Sequence, residues 1–133
     1  MIEARCNCGA LAVEVPGPSN LIVACHCIEC QRRTGSPFGV GAFYRSREVK
    51  IAGAAKEFAR EGSTGGKVRN YFCPNCGSTV YWKADRVPGF IAVGVGSFAD
   101  SGHPRPTRSI WEQTRRPWAQ VDADQHLLQG SGL

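Results

Sequence analysis

The chain has 133 residues, of which 42% are hydrophobic, with a mean hydropathy of -0.24 and a formal net charge of +5. That length suits one domain, able to bury about two-thirds of its unfolded surface. Residues 1–133 are therefore read as a single unit with an ordered core over about 3–120. No apolar run approaches the ~20 residues of a membrane span, and the start, Met1-Ile2-Glu3-Ala4-Arg5, lacks the charged head and apolar run of a secretory leader. A cytoplasmic, non-membrane protein is the expectation.

Composition also narrows the partners. Arginine supplies 12 of the 16 basic residues, but they are scattered, with adjacent pairs only at Arg32-Arg33 and Arg115-Arg116. Without a basic run, nucleic acid is not the expected partner. The seven cysteines are an odd number, and a reducing compartment keeps thiols free, so metal is a better reading than a disulfide framework.

Taken in order, the chain reads mainly as strands. Arg5-Cys6-Asn7-Cys8-Gly9 holds a C-x-C pair, and Ala10–Val15 then alternates with Leu11, Val13 and Val15 on one face. Pro16-Gly17-Pro18-Ser19-Asn20 is a turn. Leu21-Ile22-Val23-Ala24 is a strand leading into Cys25-His26-Cys27-Ile28-Glu29-Cys30, with Leu21, Val23 and Cys25 on one face, joined by Cys27 if the strand continues. His26 would then point to the opposite face as a packed residue rather than a ligand. One helical turn is expected near Gln31, ending at Gly35. Phe38–Tyr44 is an apolar strand whose Gly39 and Gly41 mark a close approach by another backbone or a ligand.

Short strands are expected over Val49–Ile51 and Lys56–Arg60, with a flexible loop at Gly62–Gly66. Val68–Phe72 leads into the knuckle Cys73-Pro74-Asn75-Cys76-Gly77, where Gly77 permits positive φ, and Thr79–Trp82 returns. Phe90–Phe98 reads as the longest strand, with its glycine side packed under a neighbouring aromatic or left open for something small. Thr107–Glu112 is a last strand, and the polar tail from Asp122 to Leu133 is expected to fray. Trp111 and Trp118 read as core or pocket wall.

The thiols divide in one of two ways. The C-x-x-C pairs 27/30 and 73/76 match a zinc ribbon in spacing, but that strands Cys6, Cys8 and Cys25. Joining Cys6 and Cys8 to Cys73 and Cys76 instead gives a closed four-ligand site and leaves Cys25, Cys27 and Cys30 together, with no orphan. The second division is preferred. A three-ligand zinc keeps a position open for water or substrate, as working zinc sites do.

The runs CNCGA at Cys6, CHCIECQRRTGSPF from Cys25 and YFCPNCGSTVYW around Cys73, with PGFIAVGVGSFAD and SIWEQTRRPW downstream, resemble the glutathione-dependent formaldehyde-activating enzyme family, which includes centromere protein V. The resemblance spans about residues 3–120. It implies an all-β fold of mainly antiparallel strands with zinc knuckles, similar to the Rab-binding protein called Mss-four. It also implies structural zinc on Cys6, Cys8, Cys73 and Cys76, and catalytic zinc on Cys25, Cys27 and Cys30. The implied activity is a carbon–sulfur lyase of the S-(hydroxymethyl)glutathione synthase type, joining formaldehyde to glutathione or another small thiol. Arg32 and Arg33, beside the thiols, are the expected holders of a substrate carboxylate. Glu29 reads as a solvated side chain with a possible part in proton transfer. The alternative is a non-catalytic zinc-stabilised interaction module.

Overall fold

The structure is a computed structural model that describes residues 1–131, and it is built of two sheets and one short helix. In chain order the elements are β1 (Ile2–Arg5), β2 (Ala12–Val15), β3 (Ile22–Cys25), α1 (Ile28–Thr34), β4 (Gly39–Arg45), β5 (Lys50–Ala52) and β6 (Lys56–Glu61). They continue with β7 (Lys67–Phe72), β8 (Thr79–Ala84), β9 (Phe90–Gly94), β10 (Arg108–Ile110) and β11 (Gln125–His126). The small sheet runs β1-β2-β5 and the large one β11-β10-β3-β4-β9-β8-β7-β6. All pairings are antiparallel except β10 with β3 and with β11. The all-β class expected from the strand pattern is the class observed. Among the described residues, no helix is long and apolar enough to cross a membrane.

Period-two alternation decides which face of the large sheet does what. The register places Ile22, Ala42, Val93 and Tyr81 in one row across β3, β4, β9 and β8. These side chains belong to the buried core, along with Ala4, Leu11, Val13 and Val15 from the small sheet. The predicted inward face of β2 is therefore correct, and each such buried aliphatic side chain contributes about 1.5–3 kcal/mol. The next row, Phe43, Ala92 and Trp82, lies on the opposite face, as do Val23 and Cys25. One face of the sheet makes the core, and the other lines a pocket.

Four local expectations change. Phe90–Phe98 is not one strand: β9 stops at Gly94, and Val95–Phe98 winds into a 3-10 turn that buries Phe98. The helix is longer than one turn and starts earlier. It begins at Ile28 with Cys27 as its N-cap and ends on Gly35 at φ 64°. Cys27 therefore leaves the strand instead of extending it. Residues 62–66 form the turn of the β6–β7 hairpin, closed by Gly62 N–H donating to the Gly66 carbonyl at 2.8 Å. The tail does not fray as far as residue 131. Gln125-His126 pairs with β10, Leu127 N–H donates to Ser109 O at 2.9 Å, and Ser131 is buried. Residues 132 and 133 of that expected tail lie outside the described residues.

Candidate metal centres

The first centre joins the two sheets. Cys6 and Cys8 lie in the β1–β2 turn, Cys73 and Cys76 in the β7–β8 turn, and their four sulfurs lie within 4.8 Å of one another. Cys6 and Cys73 are buried, Cys8 and Cys76 exposed. The Cys6–Cys8 and Cys8–Cys73 Sγ separations are both 3.7 Å. Zn–S bonds of about 2.3 Å at tetrahedral angles require roughly 3.8 Å between sulfurs, so the donor set fits such an ion. Backbone amides point at the sulfurs: Leu11 N–H to Cys6 Sγ at 3.2 Å and Asn75 N–H to Cys73 Sγ at 3.4 Å. The Ser78 hydroxyl, 3.3 Å from Cys76 Sγ, leads the interactions that draw that thiol down to about 5. These donors favour the thiolate, the ligand form. Gly9 at φ 84° and Gly77 at φ 80° supply the left-handed corners both turns need.

The second centre is local. Cys25 ends β3, Cys27 caps α1 and Cys30 sits in the helix's first turn, with their sulfurs again within 4.8 Å of one another. All three are half-buried. Cys30 N–H donates to Cys27 Sγ at 3.3 Å. The Cys25 and Cys30 thiols also donate to Cys27 and bring it down to about 2. The same contacts, first with Cys27 and then with Cys30, push Cys25 far above its ordinary range. Alone, the trio holds one thiolate comfortably. Several thiolates within such distances need a cation among them, which is the chemical mark of a metal site. Two cysteine clusters, of four and of three, can thus hold metal ions.

His26, between two of these cysteines, faces the other way and is fully buried. Its Nε2 lies 2.8 Å from Ser109 Oγ, Ser109 Oγ donates to Glu112 Oε2 at 2.7 Å, and His126 Nδ1 lies 2.8 Å from that carboxylate oxygen. Burial lowers the pKa of His26. Its carbonyl accepts from Gln31 Nε2 at 2.9 Å and from Thr114 Oγ1 at 2.8 Å. The peptide between Cys25 and Cys27 is thereby pinned from both sides. Spacing along the sequence gives no signal for this network, because its partners come from residues 109–126.

A pocket of about 110 Å³ opens beside the second centre. Its walls include Val23, Phe43, Ala92 and Trp82, along with all three cysteines. The two glycines singled out in β4 make room for two side chains of its lining. A Cβ at Gly41 would sit 2.5 Å from Trp82 Cζ2, and one at Gly39 would run into Arg33 Nη2. The close approach is by side chains rather than by backbone. Arg33 lies over the Trp82 ring at 4.0 Å. The glycine side of β9 is likewise under an aromatic, with Trp82 Cζ3 3.7 Å from a Cβ at Gly94.

The arginine pair separates. Arg33 lines the pocket, while Arg32 turns outward, 77% exposed and 4.0 Å from Glu29, which is itself exposed. Trp111 lines the pocket from a left-handed backbone at φ 54°. That conformation costs a non-glycine residue about 1–3 kcal/mol. Trp118 is neither core nor wall of this pocket, being 71% exposed. Arg60 and Arg86 also line the pocket and were not foreseen. Strand parity offered the one available signal for Trp82, and nothing local marked the two arginines.

Comparison with known proteins agrees with this architecture. A crystal structure of a Rhodobacter sphaeroides protein superposes with a TM-score of 0.56 at 22% identity, covering 76% of this chain and 89% of that one. At that identity the likeness shows the fold alone. A search of curated proteins finds no match. The family model described as glutathione-dependent formaldehyde-activating enzyme matches residues 1–114, which include both cysteine clusters. By that match, the chain belongs to the glutathione-dependent formaldehyde-activating enzyme family.

Proposed function

We propose that Cys25, Cys27 and Cys30 hold a catalytic zinc ion, that Cys6, Cys8, Cys73 and Cys76 hold a structural one, and that the protein adds formaldehyde to a small thiol. Glutathione is the first candidate, the product an S-hydroxymethyl adduct, and the reverse reaction a carbon–sulfur lyase reaction. One observation carries this reading: three half-buried thiols converge and open into a pocket, whereas the other four form a ligand set that is already complete. Zinc bound by three thiolates supplies an open position for an incoming thiol and favours its thiolate form.

The chain's own residues do the rest. In the overall reaction the thiol sulfur bonds to the aldehyde carbon, the carbonyl π bond breaks, and the thiol's proton ends on the new hydroxyl. Gln31 and Thr114 hold the Cys25–Cys27 peptide, so the ligands are fixed before substrate arrives. Contacts with Cys25 and with one another leave Cys30 above its ordinary range and Cys27 below it, and Arg33 and Arg60 add a smaller pull toward the thiolate at Cys30 and Cys27 respectively. Val23, Phe43 and Trp82 wall the site with apolar surface that displaces water.

The addition also proceeds without a catalyst, so the test is a rate. Exchange spectroscopy by NMR near equilibrium compares zinc-loaded wild type, Cys27→Ser and no protein. Wild type should exceed the other two. Exchange equal to the protein-free rate with several thiols, while both sites carry metal, overturns the enzyme reading and leaves a zinc-stabilised module.

A further inference from the structure

Glutathione is polar along its length, with two carboxylates and an ammonium group. The pocket has arginines for those carboxylates but no Asp or Glu for the ammonium group and an apolar floor against the peptide bonds. Its floor is Val23, Phe43, Trp82 and Ala92, and Val23 and Ala92 are buried within it. Three guanidinium-bearing residues, Arg33, Arg60 and Arg86, belong to its lining, and no Asp or Glu does. Among the described residues, none of these three arginines forms a salt bridge within 4.0 Å. Arg60 donates to the Glu61 carbonyl at 3.2 Å, and Arg33 is stacked on Trp82.

We infer that the thiol this pocket selects has an apolar body and a single anionic end, with no ammonium group. The inference rests on the function proposed above and names the substrate class of the same site. Three reasons converge. An ammonium placed here meets three guanidiniums and no carboxylate, which costs affinity. An anion meets three guanidiniums that, among the described residues, no carboxylate pairs, and three thiolates around a divalent ion would set a formal charge of only -1 against them. An aryl or alkyl body suits the apolar Phe43–Ala92–Trp82 row, where the missing side chain of Gly41 lets the Trp82 ring lie against β4.

The test is calorimetric binding to the full chain loaded with zinc at both sites, using four thiols: glutathione, α-mercapto-β-phenylpropionate, the corresponding phenyl alcohol and mercaptoacetate. The phenyl mercapto acid should bind about tenfold or more tighter than glutathione. Removing its carboxylate, as in the alcohol, or its ring, as in mercaptoacetate, should each cost about tenfold. In the double variant Arg60→Ala/Arg86→Ala the acid's advantage over its alcohol should shrink to less than about threefold. Circular dichroism of that variant checks that it is folded.

Glutathione binding as tightly as the phenyl acid, or an acid-to-alcohol ratio below about threefold in wild type, overturns the inference and leaves the proposed function standing. An unchanged ratio in the folded double variant overturns the assignment of the anionic end. Failure of every thiol to bind the loaded protein overturns both readings together.

Discussion

The two cysteine clusters use the same ligand and differ in where the chain supplies it. The four-cysteine cluster draws on two turns 65 residues apart and ties the small sheet to the large one, with half its thiols buried. The three-cysteine cluster is drawn from six consecutive residues at the end of β3 and the start of α1, and every thiol is half-exposed to a pocket. A long-range ligand set contributes to folding, because the metal closes a loop the unfolded chain must otherwise close unaided. A local set spans almost no loop and contributes little. What it offers is a rigid platform with one side left open.

The largest expected effect breaks that contrast if it is wrong. Cys73→Ser should abolish cooperative unfolding or give insoluble protein, whereas Cys27→Ser should remain folded and lose one metal ion and the rate enhancement. Thermal melting with metal analysis on both variants checks this, and equal melting points erase the distinction. The open site should also release its metal first under stepwise chelation, with folded far-ultraviolet circular dichroism retained until the second ion leaves.

The pocket face gives the next effect. In Gly41→Val the added side chain collides with Trp82, which the Gly41 backbone currently lets in to 2.5 Å from a Cβ position. The expected cost is about 1–3 kcal/mol of stability, with loss of thiol binding. A melt and a binding isotherm on the same sample measure both, and unaltered binding would remove Trp82 from the pocket wall.

Behind the open cluster, Ser109→Ala leaves the buried His26 Nε2 without its partner at 2.8 Å. That should cost about 1–3 kcal/mol, and it should act on the three-cysteine site through the Cys25–Cys27 peptide rather than on the four-cysteine site. Metal affinities of the two sites, measured separately in Ser109→Ala, sharpen the comparison; an equal change at both would refute it.

The smallest effect divides the adjacent arginines. Arg32→Ala should leave stability within about 0.5 kcal/mol and binding unchanged, since its ion pair with Glu29 is exposed and 4.0 Å long. Arg33→Ala should weaken an anionic thiol and leave a neutral one alone. Equal effects of the two substitutions would show that the pocket does not discriminate between them.

By itself the sequence determined what depends on spacing and period. The C-x-C, C-x-C-x-x-C and C-x-x-C-G spacings leave one division without an orphan thiol, and the folded chain assembles those two clusters. Alternation along 21–25 and 10–15 placed Val23 with Cys25 and buried Leu11, Val13 and Val15, because side chains on a strand change face at every residue. The glycines of β4 announced a close approach but not its kind, which is by the Arg33 and Trp82 side chains and not by the expected backbone or ligand. Tertiary structure decided the rest. Whether Arg32 or Arg33 enters the pocket turns on the rotation of α1, set by Cys27 taking the N-cap position rather than continuing the strand. The contacts that pin His26 reach across 83 and 88 residues, and Arg60 and Arg86 join the pocket only because the end of β6 and the β8–β9 connection come to the face that carries Cys25. A chain's local pattern fixes which way each side chain leaves its own strand. Which distant side chains it meets there depends on how the sheets close, and no local period carries that information.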